Sequence, residues 1–207
     1  MNLTEEGLVS TYGIYVNGMN TSIESAQQIC KQLAANKKMR FELTYNDATT
    51  PEACRKIAVR SLPDITSGHP LLVAARYMTE QQEISPKIRK VADRVVQSAK
   101  RILSRSPKAR VVLVGHSQGA DVLDLALNSL ARFKDRIDVE TYGGITYIEE
   151  SKARSVVNYV GEDDILSRLA HAVNYGFRGQ GGNKSSSYKG KDCSGHSAKC
   201  YVPNGSS

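Results

Sequence analysis

The residues best suited to carry out catalysis lie within Gly115–Gly119, in the run VVLVGHSQGADVL. This run predicts a buried strand, a tight turn and an amphipathic helix, with Ser117 at the turn. A serine at such a turn is held in a strained backbone conformation, and Gly115 and Gly119 leave room where side chains would collide. Its hydroxyl then lies at a helix N-terminus, where the helix dipole favours negative charge. Ser117 is therefore a candidate nucleophile, and an ordinary glycine-rich turn, such as a phosphate-binding one, is the alternative.

A serine hydroxyl is a poor nucleophile near neutral pH, so it needs a base and a carboxylate that orients the base. The run SVVNYVGEDDILSRL supplies Asp163 and Asp164 after a predicted strand, although both could instead cap the helix that begins near Ile165. Two histidines follow. His171 has helical spacing within LSRLAHAV, which favours a structural role, whereas His196 lies in the predicted loop CSGHSAKCY.

With these residues in view, the chain resembles the α/β-hydrolase superfamily from Tyr12 to about His196, and its lipase- and esterase-like members in particular. That resemblance implies that nucleophile, acid and base follow in this order along the chain. It implies Ser117 as the nucleophile and His196 as the base. Asp164, directly before an aliphatic pair, matches the acid position, and Asp163 is the alternative.

The resemblance also implies an oxyanion hole of two backbone donors. One is the N–H of Gln118, directly after the candidate nucleophile. The other is the N–H of Met19 in the run VNGMN, where the superfamily commonly has a His-Gly-x loop. Asn17 stands in place of that histidine, so this loop departs from the superfamily pattern while keeping its donor. Asn20 could add a side-chain contact.

The elements that must position these residues alternate between strands and helices. This order predicts an α/β fold with a doubly wound, mostly parallel sheet and helices on both faces. Residues 1–207 form a single predicted domain without a large cap, because the last two predicted strands are close in sequence. The Gly/Ser/Lys-rich segment 176–207 is predicted as a loop and tail that carries the candidate base. The predicted strands are 11–19, 40–46, 111–115, 138–148 and 155–164; the predicted helices are 23–35, a short one that ends near 62, one from 84 to about 105, and 119–132.

Composition and charge set limits on the partners. The chain has 207 residues, of which 40% are hydrophobic and 24% charged, which is typical of a globular protein rather than a disordered or fibrous one. No apolar run is long enough to span a bilayer, and no signal-peptide pattern is present, so we expect a cytoplasmic protein. The net charge is +7, and the positive charge is densest between Lys87 and Arg110, where it includes one face of the helix 87–105. That face could bind an anionic membrane surface, although a solvated face is commoner. No aromatic residues interleave with these charges, so nucleic-acid binding is not expected.

The cysteines allow three interpretations near the candidate base. Cys193, His196 and Cys200 could belong to a zinc site, but no fourth ligand is evident nearby. A disulfide between Cys193 and Cys200 requires an oxidising compartment, so free thiols are the expectation in the absence of an export signal. The sequence thus predicts no metal and no cofactor. The predicted activity is hydrolysis of a carboxylic ester or thioester through an acyl-enzyme; the alternative is an inactive binding or signalling protein on the same scaffold.

Overall fold

The computed structural model describes residues 10–19, 21–48, 70–144, 146–161, 164, 167, 185–188 and 197–202. Within these ranges, the side chains of residues 70–85, 185–188 and 199–200 are not described.

A single parallel sheet organises the described part of the chain. The strand order is β2-β1-β3-β4-β5-β6, and all five neighbouring pairs are parallel. From β1 the chain crosses to one side to form β2 and then returns to the other side to form β3, so β1 and β3 flank a topological switch point, where ligands of open α/β sheets bind. The strands are β1 (Thr11–Val16), β2 (Arg40–Thr44), β3 (Arg110–His116), β4 (Ile137–Tyr142), β5 (Ser155–Gly161) and β6 (Ser185–Tyr188).

Helices cover both faces of this sheet, as the sequence predicts. The helices are α1 (Ile23–Lys37), α2 (Pro70–Leu103), α3 (Gly119–Leu130) and the short α4 (Ala198–Tyr201). Strand β3 shows why both faces must be covered, because alternate side chains of a strand point to opposite sides. Val111 and Leu113 pack with α2 and α3, while Val112 and Val114 pack with α1 and the C-terminal residues.

Helix α2 is longer than the sequence predicts. The spacing of apolar residues predicts a helix only from Ile84, and the run LLVAARYM before it fits either a buried strand or a helix turn. The structure instead has one continuous helix from Pro70 to Leu103, with Pro86 inside it. A proline in a helix interior removes one backbone hydrogen bond and strains the preceding turn, which is why a helix start near Ile84 was a reasonable expectation.

Two further stretches differ from the expected pattern. Strand β4 ends at Tyr142, so the predicted strand 138–148 is wrong beyond this residue, where Gly143 adopts a φ of 54° and turns the chain. Within the segment predicted as loop and tail, residues 185–188 instead form β6, and residues 198–201 form α4. The buried Tyr201 belongs to the core on the α1 side of the sheet.

Part of the positive charge on α2 is already paired within the protein. Arg94 binds Asp47 at 2.5 Å, and Arg101 binds Glu42 at 2.5 Å. These pairs lower the charge that the face 87–105 could offer to an anionic membrane surface, and binding to such a surface stays a prediction. Among the described residues, no helix is both long enough and apolar enough to cross a bilayer.

Candidate functional site

Ser117 lies at a sharp turn between β3 and α3, called here the serine turn (Gly115–Gly119). Its φ of 50° is in the left-handed region, which non-glycine residues enter at a cost in conformational energy. The Ser117 N–H donates to the Tyr142 carbonyl at 3.0 Å, and the Ser117 carbonyl accepts from Ala120 N–H at 3.0 Å. The turn is thus fixed on both sides, and it presents the serine at the N-terminus of a 12-residue helix.

The space around the serine turn depends on glycines, as predicted. A Cβ on Gly115 would lie 2.9 Å from the Gly119 carbonyl carbon, and a Cβ on Gly119 would collide with the Val16 carbonyl oxygen. A third glycine, Gly18, brings the end of β1 onto the turn, because its Cβ would lie 2.8 Å from the Ser117 Cβ. The segment that carries Met19 therefore packs directly against the candidate nucleophile.

The β1 loop (Asn17–Met19) and the serine turn are joined by a buried network of three amides. Asn17, Asn46 and Gln118 are 0%, 1% and 0% exposed. Asn46 donates its backbone N–H to Asn17 Oδ1 at 2.8 Å, and its Nδ2 donates to Gln118 Oε1 at 3.0 Å and to the Asn17 carbonyl at 3.3 Å. Asn17 Nδ2 donates to the Asn46 carbonyl at 3.4 Å. Sequence reasoning missed Asn46, because no local pattern marks a residue whose partners lie 29 and 72 positions away.

Asp164 is buried just beyond β5, with an exposure of 1%. Its Oδ1 accepts from the Ser167 N–H at 2.9 Å, and its Oδ2 accepts from the Tyr201 hydroxyl. The bond to Ser167 has the form of a helix cap, which is the structural role that the sequence left open.

Tyr201 was not anticipated, although it lies five positions after His196 in sequence. Its hydroxyl donates to Asp164 Oδ2 and accepts from the Gly161 N–H at 2.9 Å. Burial, together with the hydrogen bond to Asp164, raises the pKa of Tyr201 well above its usual range. The phenol therefore stays protonated and remains a donor to the carboxylate at neutral pH. Its ring lies 6.0 Å from the Tyr142 ring and 6.4 Å from that of His116.

The turn after β4 lies between Ser117 and Asp164. Ser117 bonds to the Tyr142 carbonyl, and the next residue, Gly143, donates its N–H to the Tyr159 carbonyl of β5 at 2.9 Å. A Cβ on Gly143 would lie 2.6 Å from Asp164 Oδ2, so only glycine lets the carboxylate come this close. The ends of β3 and β5 are two strand spacings apart, roughly 10 Å.

Other residues of interest lie outside the described part of the chain. These are both candidate bases, His171 and His196, as well as Asp163, Asn20 and Cys193. The structure therefore places Met19, Ser117, Gln118 and Asp164 beyond the carboxyl ends of strands β1, β3 and β5. The identity of the base stays a prediction. Among the described residues, no cluster of His, Cys, Asp and Glu could hold a metal ion.

Comparisons with known proteins give a similarity in structure but no match in sequence. No protein-family model matches the chain, and neither does any curated protein sequence. The crystal structure of dienelactone hydrolase from Anabaena variabilis ATCC 29413 is similar, with 15% sequence identity and a TM-score of 0.43. The similarity covers 79% of this chain and 68% of that chain. At this identity and TM-score, the similarity carries no information about the chemistry of the candidate site.

The fold class follows from the structure of the chain itself. The order in which strands are added to the parallel sheet reverses between β1 and β3, and helices cover both faces. A serine with positive φ joins a central strand to the helix after it. These features define a minimal α/β-hydrolase fold.

Proposed function

We propose that the protein is a serine hydrolase that cleaves a carboxylic ester or thioester through an acyl-enzyme on Ser117. The observation that carries this proposal is the strained backbone of Ser117, at a φ of 50° on a turn that adjacent glycines make possible. Strain of this kind persists only where the surrounding structure enforces it, and it clusters at functional sites.

The reaction that we propose begins when Ser117 Oγ attacks the acyl carbonyl carbon while a base removes the hydroxyl proton. The carbonyl oxygen then carries negative charge, and the N–H groups of Met19 and Gln118 stabilise it. Collapse of this intermediate expels the alcohol or thiol, which receives the proton from the base. In the second half of the reaction, the base removes a proton from water, which attacks the acyl carbon. Ser117 Oγ then leaves, takes the proton back from the base and releases the carboxylic acid.

For the base we propose His196, oriented by Asp164. His196 directly precedes the segment 197–202, and this segment reaches the candidate acid through Tyr201. His171 is the alternative base, and Asp163 is the alternative acid. Replacement of each histidine by alanine separates the two bases: turnover of a p-nitrophenyl acyl ester should be lost with His196→Ala and kept with His171→Ala. The opposite result would assign the base to His171.

The test of the nucleophile is labelling with a fluorophosphonate, which forms a covalent bond with an activated serine. We expect the wild type to be labelled and Ser117→Ala to be unlabelled, with p-nitrophenyl ester turnover lost in parallel. Ser98→Ala is a matched control, because this partly buried serine on α2 bonds to Glu42 on β2, away from the serine turn. Equal labelling of wild type and Ser117→Ala, or none of either, would contradict the proposal; the second result would favour an inactive scaffold.

A further inference from the structure

Asn46 hydrogen-bonds to both of the segments that carry the donors of the proposed oxyanion hole. The Met19 donor belongs to the β1 loop, and the Gln118 donor belongs to the serine turn, so the two N–H groups lie on segments about 100 positions apart in sequence. An oxyanion hole works only if both donors converge on one point. Some contact must therefore set the separation of these two segments.

Besides the pairing of β1 with β3 and the packing of Gly18 on Ser117, the hydrogen bonds of Asn46 join these two segments. Its Nδ2 donates both to the Asn17 carbonyl in the β1 loop and to Gln118 Oε1 in the serine turn, at 3.3 Å and 3.0 Å. Its backbone N–H and carbonyl pair with the Asn17 side chain, at 2.8 Å and 3.4 Å. Its Oδ1 accepts from the Ala48 N–H at 3.2 Å, which fixes the orientation of the amide. One side chain at the end of β2 thus bonds to both segments.

Because these groups are buried, each hydrogen bond is costly to break. Asn46 is 1% exposed, and both of its partners are 0% exposed, so solvent offers no replacement for a lost bond. A buried polar group without a partner is costly, which holds all three amides in this single arrangement. The Asn17 amide also donates to the Gly18 carbonyl at 3.0 Å, and this carbonyl belongs to the same peptide group as the Met19 N–H. The network therefore extends to the peptide that carries the first proposed donor.

We propose that Asn46 is a positioning residue for the oxyanion hole, which holds the Met19 and Gln118 N–H groups at the separation that the transition state requires. This inference rests on the proposed function. Asn46 does not touch the substrate, and its effect passes through the two segments that it joins. Its loss should lower kcat and leave KM nearly unchanged, because the oxyanion forms only in the transition state.

The sharpest test replaces one donor group and keeps the shape of the side chain. Asn46→Asp retains the backbone bonds and the acceptor for Ala48, but places a carboxylate oxygen against two acceptors, the Asn17 carbonyl and Gln118 Oε1. We expect a loss in kcat of about 10- to 100-fold for a p-nitrophenyl ester, with KM within about twofold of the wild type. Labelling by a fluorophosphonate should slow in the same proportion.

Asn158→Asp is the matched control. Asn158 is also buried, and its amide donates to the Ile148 carbonyl at 3.0 Å, while its Oδ1 accepts from Thr141 Oγ1 at 2.8 Å. The same substitution there loses a comparable buried donor in the connection between β4 and β5. We expect a similar fall in melting temperature for both variants, but a change in kcat within about threefold for Asn158→Asp. A melting temperature that falls alike with kcat kept at both sites would overturn the inference.

Hydrogen exchange gives a readout that does not depend on turnover. In Asn46→Asp, the amides of Gly18 and Met19 should exchange faster than in the wild type, while in Asn158→Asp they should exchange at the wild-type rate. Unchanged exchange in Asn46→Asp would overturn the positioning role even if kcat fell. A wild type that is neither labelled nor active would overturn the proposed function, whereas the exchange result would still show whether Asn46 holds the β1 loop.

Discussion

At the residue scale, one hydroxyl helps to hold the candidate acid in place. Tyr201 donates to Asp164 and accepts from the Gly161 N–H, so it ties the carboxylate to the end of β5. We predict that Tyr201→Phe lowers the free energy of unfolding by about 1–3 kcal/mol, because it leaves the Gly161 N–H without this acceptor. We also expect a fall in kcat for a p-nitrophenyl ester, since Asp164 loses one of the bonds that orient it. Urea denaturation and steady-state kinetics measure the two effects.

The matched control for this prediction is Tyr142→Phe. Tyr142 belongs to the same aromatic cluster, with its ring 5.2 Å from Tyr159 and 6.0 Å from Tyr201, but its hydroxyl donates to Glu140 at 2.7 Å. Because the ring packing is kept and the acid is untouched, we expect the kinetics of Tyr142→Phe to stay close to those of the wild type. Equal kinetic losses in the two variants would show that the cluster, and not the bond to Asp164, is what matters.

The contrast between Ser117 and Asn46 shows which site residues a sequence can reveal. Ser117 is marked by its neighbours, because a strand, two glycines and a helix must all lie within a few positions of it. Asn46 has no such mark: its importance comes from partners that only the folded sheet brings close. Asp164 is intermediate, since its place after a strand was predictable, whereas its bond to Tyr201 was not.

At the element scale, strands with an apolar pattern were predictable and those without one were not. The sequence of β3 predicts a strand that is buried on both faces, and in the structure its alternate side chains lie in the two cores. Strand β6 has the sequence SSSY, which carries no hydrophobic period, and it forms a strand through its pairing with the edge of β5. The length of α2 was missed for a related reason, because Pro86 is a signal for a helix boundary and the tertiary structure overrides it.

Pro86 also offers a test of that continuous helix. Within a helix, proline costs about 3 kcal/mol relative to alanine, through a lost hydrogen bond and a steric clash. Since Pro86 is exposed and inside α2, we predict that Pro86→Ala raises the free energy of unfolding by about 1–3 kcal/mol in urea denaturation. Lys100→Ala, an exposed change on the same helix, should stay within about 0.5 kcal/mol of the wild type. A neutral or destabilising Pro86→Ala would indicate that the helix begins after this residue.

At the scale of the whole molecule, the sequence predicted the doubly wound parallel sheet because alternating strands and helices leave few other arrangements. The two cores on opposite faces follow from that topology. The core between the sheet and α1 contains several groups that lose a proton only at high pH, among them Cys30 and Tyr15. Burial, together with the charge of Glu42, raises the pKa of Cys30 to about 11, and burial raises the pKa of Tyr15 above its usual range.

These raised pKa values predict a loss of stability at alkaline pH. Below the ordinary pKa of a thiol, the folded and unfolded chains both keep the proton, so Cys30 makes no difference to pH dependence. Above it, the unfolded chain releases the proton first, and unfolding becomes steadily more favourable as the pH rises towards about 11. Urea denaturation from about pH 7 to about pH 10.5 should therefore give a falling free energy of unfolding above about pH 9. In Cys30→Ala the fall should be shallower, because the buried thiol no longer contributes a proton released on unfolding, even though the cavity lowers stability at every pH. A slope in Cys30→Ala equal to that of the wild type would show that the buried thiol does not link protonation to folding.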